Sequence, residues 1–144
     1  MRKIKLTKGK YALVDSADFR WLSQWRWQYN IGGYAYKSLN KKTKIYMHQL
    51  INQTTEGLYT DHINRDKLDN RRSNLRTVTN MENGRNRGLN KNNKSGYKGV
   101  FWHERLNKWL VYIKTNYKRV YVGLYKNIND AVSARKQAEQ LYWK

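Results

Sequence analysis

The chain has 144 residues, with 30 Lys and Arg against 10 Asp and Glu, so its formal net charge is +20. A field of that sign selects a polyanion as partner, and the length allows one ordinary domain or two small ones. Cysteine is absent and the three His, at 48, 62 and 103, lie far apart, which excludes disulfides and leaves no zinc site to expect.

Nucleic acid is the first polyanion to consider, because 12 Tyr and 6 Trp are interleaved with the basic residues. An anionic membrane is the weaker reading. The longest apolar stretch, 109–113, is short, and the basic N-terminus MRKIKLTKGK leads into no apolar run of signal-peptide length. The expected setting is therefore the cytoplasm, with no membrane partner and no small-molecule cofactor.

In chain order, residues 10–14 read as a short strand, and Asp15 or Ser16 caps one or two helical turns through Phe19 to Leu22. A hairpin follows. Trp25, Trp27 and Tyr29 alternate with Arg26, Gln28 and Asn30, Gly32 and Gly33 make a turn, and Tyr34 and Tyr36 resume the alternation. These rings suit core packing better than direct stacking on DNA. Lys41, Lys42 and Lys44 form a basic tip, either a solvated loop or a phosphate contact. His48 sits in an apolar setting, KIYMHQLI, and reads as structural.

Charge is distributed unevenly. Residues 1–50 hold 11 basic and 2 acidic side chains, residues 88–144 hold 12 and 3, but residues 51–87 hold 7 and 5. Half of the acids thus fall in one segment, where carboxylates and amide oxygens suit a hard cation. There Asp61 and His62 are adjacent, so in extended backbone their side chains point to opposite sides. A loop rich in Asn64, Asp66, Asp69, Asn70, Ser73 and Asn74 follows, and these side chains can hold a long turn rigid. Thr79 and Glu82 form a T-x-x-E capping box opening a helix that Gly88 would end. On it Asn83, Asn86 and Arg87 share one face, which would look back at the Asp-His pair.

The order DH, then DN-x-x-S-NLR, then EN-x-x-N resembles the HNH (ββα-metal) endonucleases, especially the small phage and intron-encoded homing type. The resemblance implies His62 as general base, Asp61 and Asn83 as ligands of one divalent metal, and Asn74 as brace of the loop. Asn83 stands where many members carry a His at the last metal position, and looks like the homing-type variant. The implied ion is Mg²⁺, with Mn²⁺ as substitute.

Residues 89–96 read as a basic Asn/Gly linker, flexible or tracking DNA through Lys91 and Lys94, as Arg87 would. Beyond it three strand-like runs, 97–103, 108–115 and 118–125, precede a helix near 130–143 with Asn129 as its cap. Alternation puts Val100, Trp102, Trp109, Val111, Ile113, Val120, Val122 and Leu124 on one side, under Ala131, Ala134, Ala138 and Leu141. Phe101, His103, Tyr112, Lys114, Arg119 and Tyr121 fall on the other, with no helix left to cover them. The YKGV opening, KW-x-x-x-I, RVYVGLY and the Ala-spaced helix resemble the AP2/ERF DNA-binding domain, a three-stranded sheet backed by one helix. Its reading positions fall on Lys98, Phe101, His103, Tyr112, Lys114, Arg119 and Tyr121. Phe101, His103 and Tyr112 depart from the Arg and Glu usual there, so the plant-type target does not carry over.

The expectation is an α+β chain. An HNH unit with an N-terminal β-hairpin region would occupy residues 1–88, and an AP2-like unit residues 97–144. Together the resemblances imply a homing-type endonuclease acting on double-stranded DNA in a phage-infected or bacterial cell. Two rivals stay open: a DNA-binding regulator whose HNH remnant is idle, and an RNA-binding protein, which composition alone accepts equally well. Target sequence, nick versus double-strand break and oligomeric state are not readable from sequence.

Overall fold

In a computed structural model describing residues 1–143, ten strands and four helices are arranged as four small antiparallel sheets, in two units, Met1–Arg87 and Gly88–Lys144. The first unit opens with a hairpin that the alternation did not reveal on its first arm. Strand β1 (Arg2–Lys5) pairs with β2 (Tyr11–Val14), with Arg2 opposite Val14 and Lys5 opposite Tyr11. Only Ile4 of β1 is buried, so a two-residue period has almost nothing to repeat in RKIK.

Helix α1 (Ser16–Leu22) follows with Asp15 at its N-cap position. The Asp15 carboxylate does not cap it, however: it accepts from the backbone of Arg72, 2.8 Å away. Next come β3 (Gln28–Tyr29), β4 (Ala35–Ser38) and β5 (Lys44–Tyr46), ordered β3-β4-β5. Trp27 lies before β3, buried, its indole donating to the Leu22 carbonyl at 2.8 Å. It belongs to a core with Leu22, Val14, Met47 and Ile51, where full burial of each aliphatic side chain contributes about 1.5–3 kcal/mol. Met47 and Ile51 come from helix α2 (Met47–Asn52).

Strand β6 (Tyr59–His62) pairs with β7 (Leu75–Val78), His62 lying opposite Leu75 and Asp61 opposite Arg76. Helix α3 (Asn80–Asn86) follows, and its capping box is formed: Thr79 accepts from the Glu82 amide while Glu82 accepts from the Thr79 amide at 2.8 Å.

In the second unit β8 (Val100–His103), β9 (Lys108–Thr115) and β10 (Lys118–Tyr125) form a sheet in the order β10-β9-β8. Helix α4 (Ile128–Tyr142) packs on it. The helix starts two residues before Asp130, with Asn127 and not Asn129 as cap, its Oδ1 accepting from the Asn129 amide at 2.8 Å. Residues 93–96 are more ordered than their composition implies. Ser95 is buried and its hydroxyl meets the Val100 carbonyl at 2.7 Å, while Asn93 Oδ1 accepts from the Gly96 amide at 2.8 Å.

Three core expectations for this unit do not hold. Trp102 and Leu141 are exposed, and a β-bulge between Tyr121 and Gly123 shifts the register so that Leu124 pairs with Leu110 instead of facing the helix. Tyr125 takes the core place beside Trp109, Val100, Val111 and Ala131. Arg135 is buried under the sheet, its Nε donating to the Lys98 carbonyl at 2.9 Å and its guanidinium 3.1 Å from Glu139; desolvation lowers its pKa.

Candidate active site

The loop from β6 to β7 is rigid because nearly every polar side chain in it has a partner. Asn64 Oδ1 accepts from the Asp66 amide (2.8 Å), and Asp66 in turn accepts from the Leu68 amide (3.0 Å). Asn74 spans the loop, accepting from the Asn64 amide at 2.9 Å and donating to the Asp69 carbonyl at 2.8 Å. Arg71 forks onto Asp69 at 2.7 and 2.6 Å, which holds that carboxyl below its ordinary range.

The loop is also stapled to β2 and α1. Leu13 donates to the Leu68 carbonyl and accepts from the Asn70 amide, both at 2.8 Å. Arg72 forks onto Asp18 at 2.8 Å through both nitrogens and depresses its pKa.

Asp61 and His62, at the end of β6, meet different partners, as extended backbone requires. The buried Asp61 carboxylate accepts from Arg76 at 3.0 and 2.7 Å and from the Asn86 amide at 3.0 Å through each oxygen. Asn86 also donates to the His62 carbonyl at 2.9 Å. Asn83 is brought onto α3 but not onto Asp61: it is half-buried, and its side-chain amide makes no hydrogen bond among the described residues. Arg87 is exposed, just past the helix.

The His62 ring is buried on the other side. Its Nε2 lies 3.0 Å from Oδ1 of Asn70, a residue with no exposure at all. Asn70 spends its Nδ2 on the Met47 sulfur at 3.5 Å, so the oxygen is the atom that faces His62 and must receive a proton. The imidazole is thereby held with Nε2 protonated and the lone pair on Nδ1. Around it pack His48 and Tyr34, with ring centroids 5.1 and 6.1 Å from that of His62. Burial, and secondarily the neighbouring His62, push the His48 pKa down to about 3, so this ring is neutral, in keeping with a structural part.

Sequence reasoning missed Asn70 as the partner of His62, and Arg76 and Asn86 as partners of Asp61. Asn86 carried a signal, since it shares the helix face that was expected to look at the pair. Arg76 carried none without the β6–β7 register.

No cluster of three or more His, Cys, Asp or Glu exists among the described residues. One carboxylate with amide side chains beside it nevertheless fits a hard cation that keeps several waters, provided that an Asn of α3 presents its oxygen. Arg76 now neutralises that carboxylate, so an ion would have to share or displace it.

In the second unit Phe101, Lys114, Arg119 and Tyr121 are exposed on the side of the sheet away from α4; Lys91 and Lys94, which precede the sheet, are exposed, and Lys98 is half-buried. The Arg119 guanidinium lies 5.3 Å from the Tyr112 ring, which meets Tyr121 edge-on at 5.8 Å. His103 is half-buried and spends Nδ1 on the Leu106 amide, 3.3 Å away.

Residues 55–85 match the family of HNH endonucleases. These residues contain Asp61, His62, Asn70, Asn74 and Asn83. Over 97 residues the chain is 31% identical to an uncharacterized HNH endonuclease of Acanthamoeba polyphaga mimivirus, an overlap covering 65% of this chain and 50% of that protein. The chain thus spans about half the length of the curated relative it matches. No solved structure matches it. No helix among the described residues is long and apolar enough to cross a membrane.

Proposed function

We propose that this chain is a DNA endonuclease of the HNH type, hydrolysing phosphodiester bonds with His62 as general base and using its second unit to hold duplex DNA. The observation that carries the reading is the buried Asn70–His62 hydrogen bond inside the matched segment, because it prepares one imidazole nitrogen to accept a proton. His62 would take a proton at Nδ1 from the water attacking phosphorus, while the bond from phosphorus to the 3′ oxygen breaks. Asn74 would keep the loop, and hence Asn70, in place. A divalent cation, Mg²⁺ or Mn²⁺, held by Asp61 with an amide oxygen of Asn83 or Asn86 would supply Lewis-acid stabilisation of the phosphate charge.

Arg87, Lys91, Lys94, Lys98, Phe101, His103, Lys114, Arg119 and Tyr121 would meet the duplex, the cations on phosphates and the sheet face in the major groove. One observation favours the idle-site regulator instead. Arg76 already satisfies Asp61 with the protein's own cation, as a metal-free scaffold would.

Supercoiled plasmid incubated with the protein and Mg²⁺ or Mn²⁺, against EDTA and against His62→Ala, separates the two. Metal-dependent nicking that falls by about 100- to 10,000-fold in the variant is the expected result. Salt-sensitive binding with no cleavage of any DNA, phage genomes included, supports the regulator.

A further inference from the structure

We propose that Phe101, Leu110 and Leu124 form an apolar row on the outer face of the C-terminal sheet that reads thymine methyl groups in the major groove. The inference rests on the DNA-binding reading above and adds a base preference to it. Its origin is the bulge in β10. Before the bulge Val120 lies opposite the buried Ile113; after it Gly123 lies opposite the buried Val111, Leu124 opposite Leu110 and Tyr125 opposite Trp109. Trp109 and Tyr125 pack against the core of Val100, Val111 and Ala131, whereas Leu110 and Leu124 take no part in it. Phe101 pairs with Leu110 from β8 and is 44% exposed. One residue from each strand therefore stands in a single cross-strand row, on the face that α4 does not occupy.

The surroundings of the row identify its occupant. The charged side chains on this face, Lys108, Lys114 and Arg119, are all cations, which suits a polyanion and opposes a second copy of a chain carrying +20. Three neighbouring strands span roughly 10 Å from first to last, close to the width of a major groove at about 12 Å. In that groove thymine alone among the four DNA bases offers a methyl group, the natural complement of Phe and Leu side chains that have no hydrogen-bonding atoms. Uracil lacks it. A face of this kind favours DNA over RNA for a reason independent of the sugar.

The test uses the 144-residue chain in EDTA, with duplexes of alternating dA and dT compared with duplexes of alternating dA and dU of equal length and at equal salt. Backbone charge is the same in both, so only the methyls differ. Each methyl contacted should make the thymine duplex bind about fourfold tighter, or about 15-fold for two. Leu124→Ser and Leu110→Ser should each reduce this ratio towards one. Equal binding of the two duplexes by the wild-type protein overturns the proposal while leaving the DNA-binding reading intact, and this comparison stands even if a variant fails to fold. A ratio that persists in both Ser variants overturns it as well. Failure to bind either duplex at low salt removes the DNA-binding reading itself. Sedimentation of a wild-type dimer that Leu124→Ser dissociates would assign the row to self-association instead.

Discussion

Asn70 shows how much one buried amide can decide. Its oxygen faces His62 and its nitrogen faces the Met47 sulfur, so neither end can be exchanged without leaving a buried polar atom unpaired. Asn70→Leu should lower stability by about 1–3 kcal/mol and reduce single-turnover cleavage at least tenfold, while Asn70→Asp, which keeps the acceptor, should retain most activity. Urea titrations and cleavage assays of both variants check this; equal activity in the Leu variant would refute the positioning role. His48 gives a pH prediction. In the folded chain it stays neutral down to about 3, whereas in the unfolded chain it binds a proton near 6.5. Between those values the unfolded state holds more protons, so this contribution to stability is complete above about 6.5 and declines by about 1.4 kcal/mol for each unit that pH falls towards 3. Asp18 and Asp69, held low by Arg72 and Arg71, add their own loss only below the ordinary carboxylate range. Urea midpoints measured from pH 7 down to 4.5 should therefore fall in the wild type and stay flatter in His48→Gln.

At the scale of elements, what could be read in the sequence was what is local. The Thr79–Glu82 capping box, the Asn-rich loop bracing and the three C-terminal strands depend on neighbours a few residues apart. What depends on register was hidden: Arg76 lies 15 residues from Asp61 in sequence yet opposite it in the sheet, and one bulged residue in β10 turns Leu124 over. The exposed Leu141 and buried Arg135 likewise reverse what helix periodicity and side-chain polarity imply, because Arg135 finds the Lys98 carbonyl and Glu139. Thr79→Ala should cost about 0.5–2 kcal/mol by thermal unfolding. Gly99→Ala should cost more. Its φ of +72° is left-handed, and an added Cβ would collide with the Tyr112 carbonyl and the Arg135 side chain; the backbone term alone is about 1–3 kcal/mol.

For the whole molecule the dominant quantity is charge. If about 6–10 phosphates are neutralised, affinity for duplex DNA should fall by three to five powers of ten, roughly, between 50 and 200 mM salt. A flat response in fluorescence-anisotropy titrations would remove nucleic acid as partner. The sign of the field was plain from composition. How the charge is used was not, because the segment with the most balanced charge pairs its own side chains, Asp61 with Arg76 and Asp69 with Arg71, and sends Arg72 to Asp18 outside it.

The staples from Leu13 to Leu68 and Asn70, and from Asp15 and Asp18 to Arg72, carry a consequence for heredity as much as for folding. From the matched segment 55–85, Leu75 belongs to the same core cluster as Val14, Leu22 and Trp27 from the first thirty residues. Recombination that moved only the motif into another gene would deliver a loop without its bonds to Leu13, Asp15 and Asp18. All of these anchors lie within one compact unit, Met1–Arg87, and recombination breakpoints should therefore spare the stretch between residue 13 and the motif.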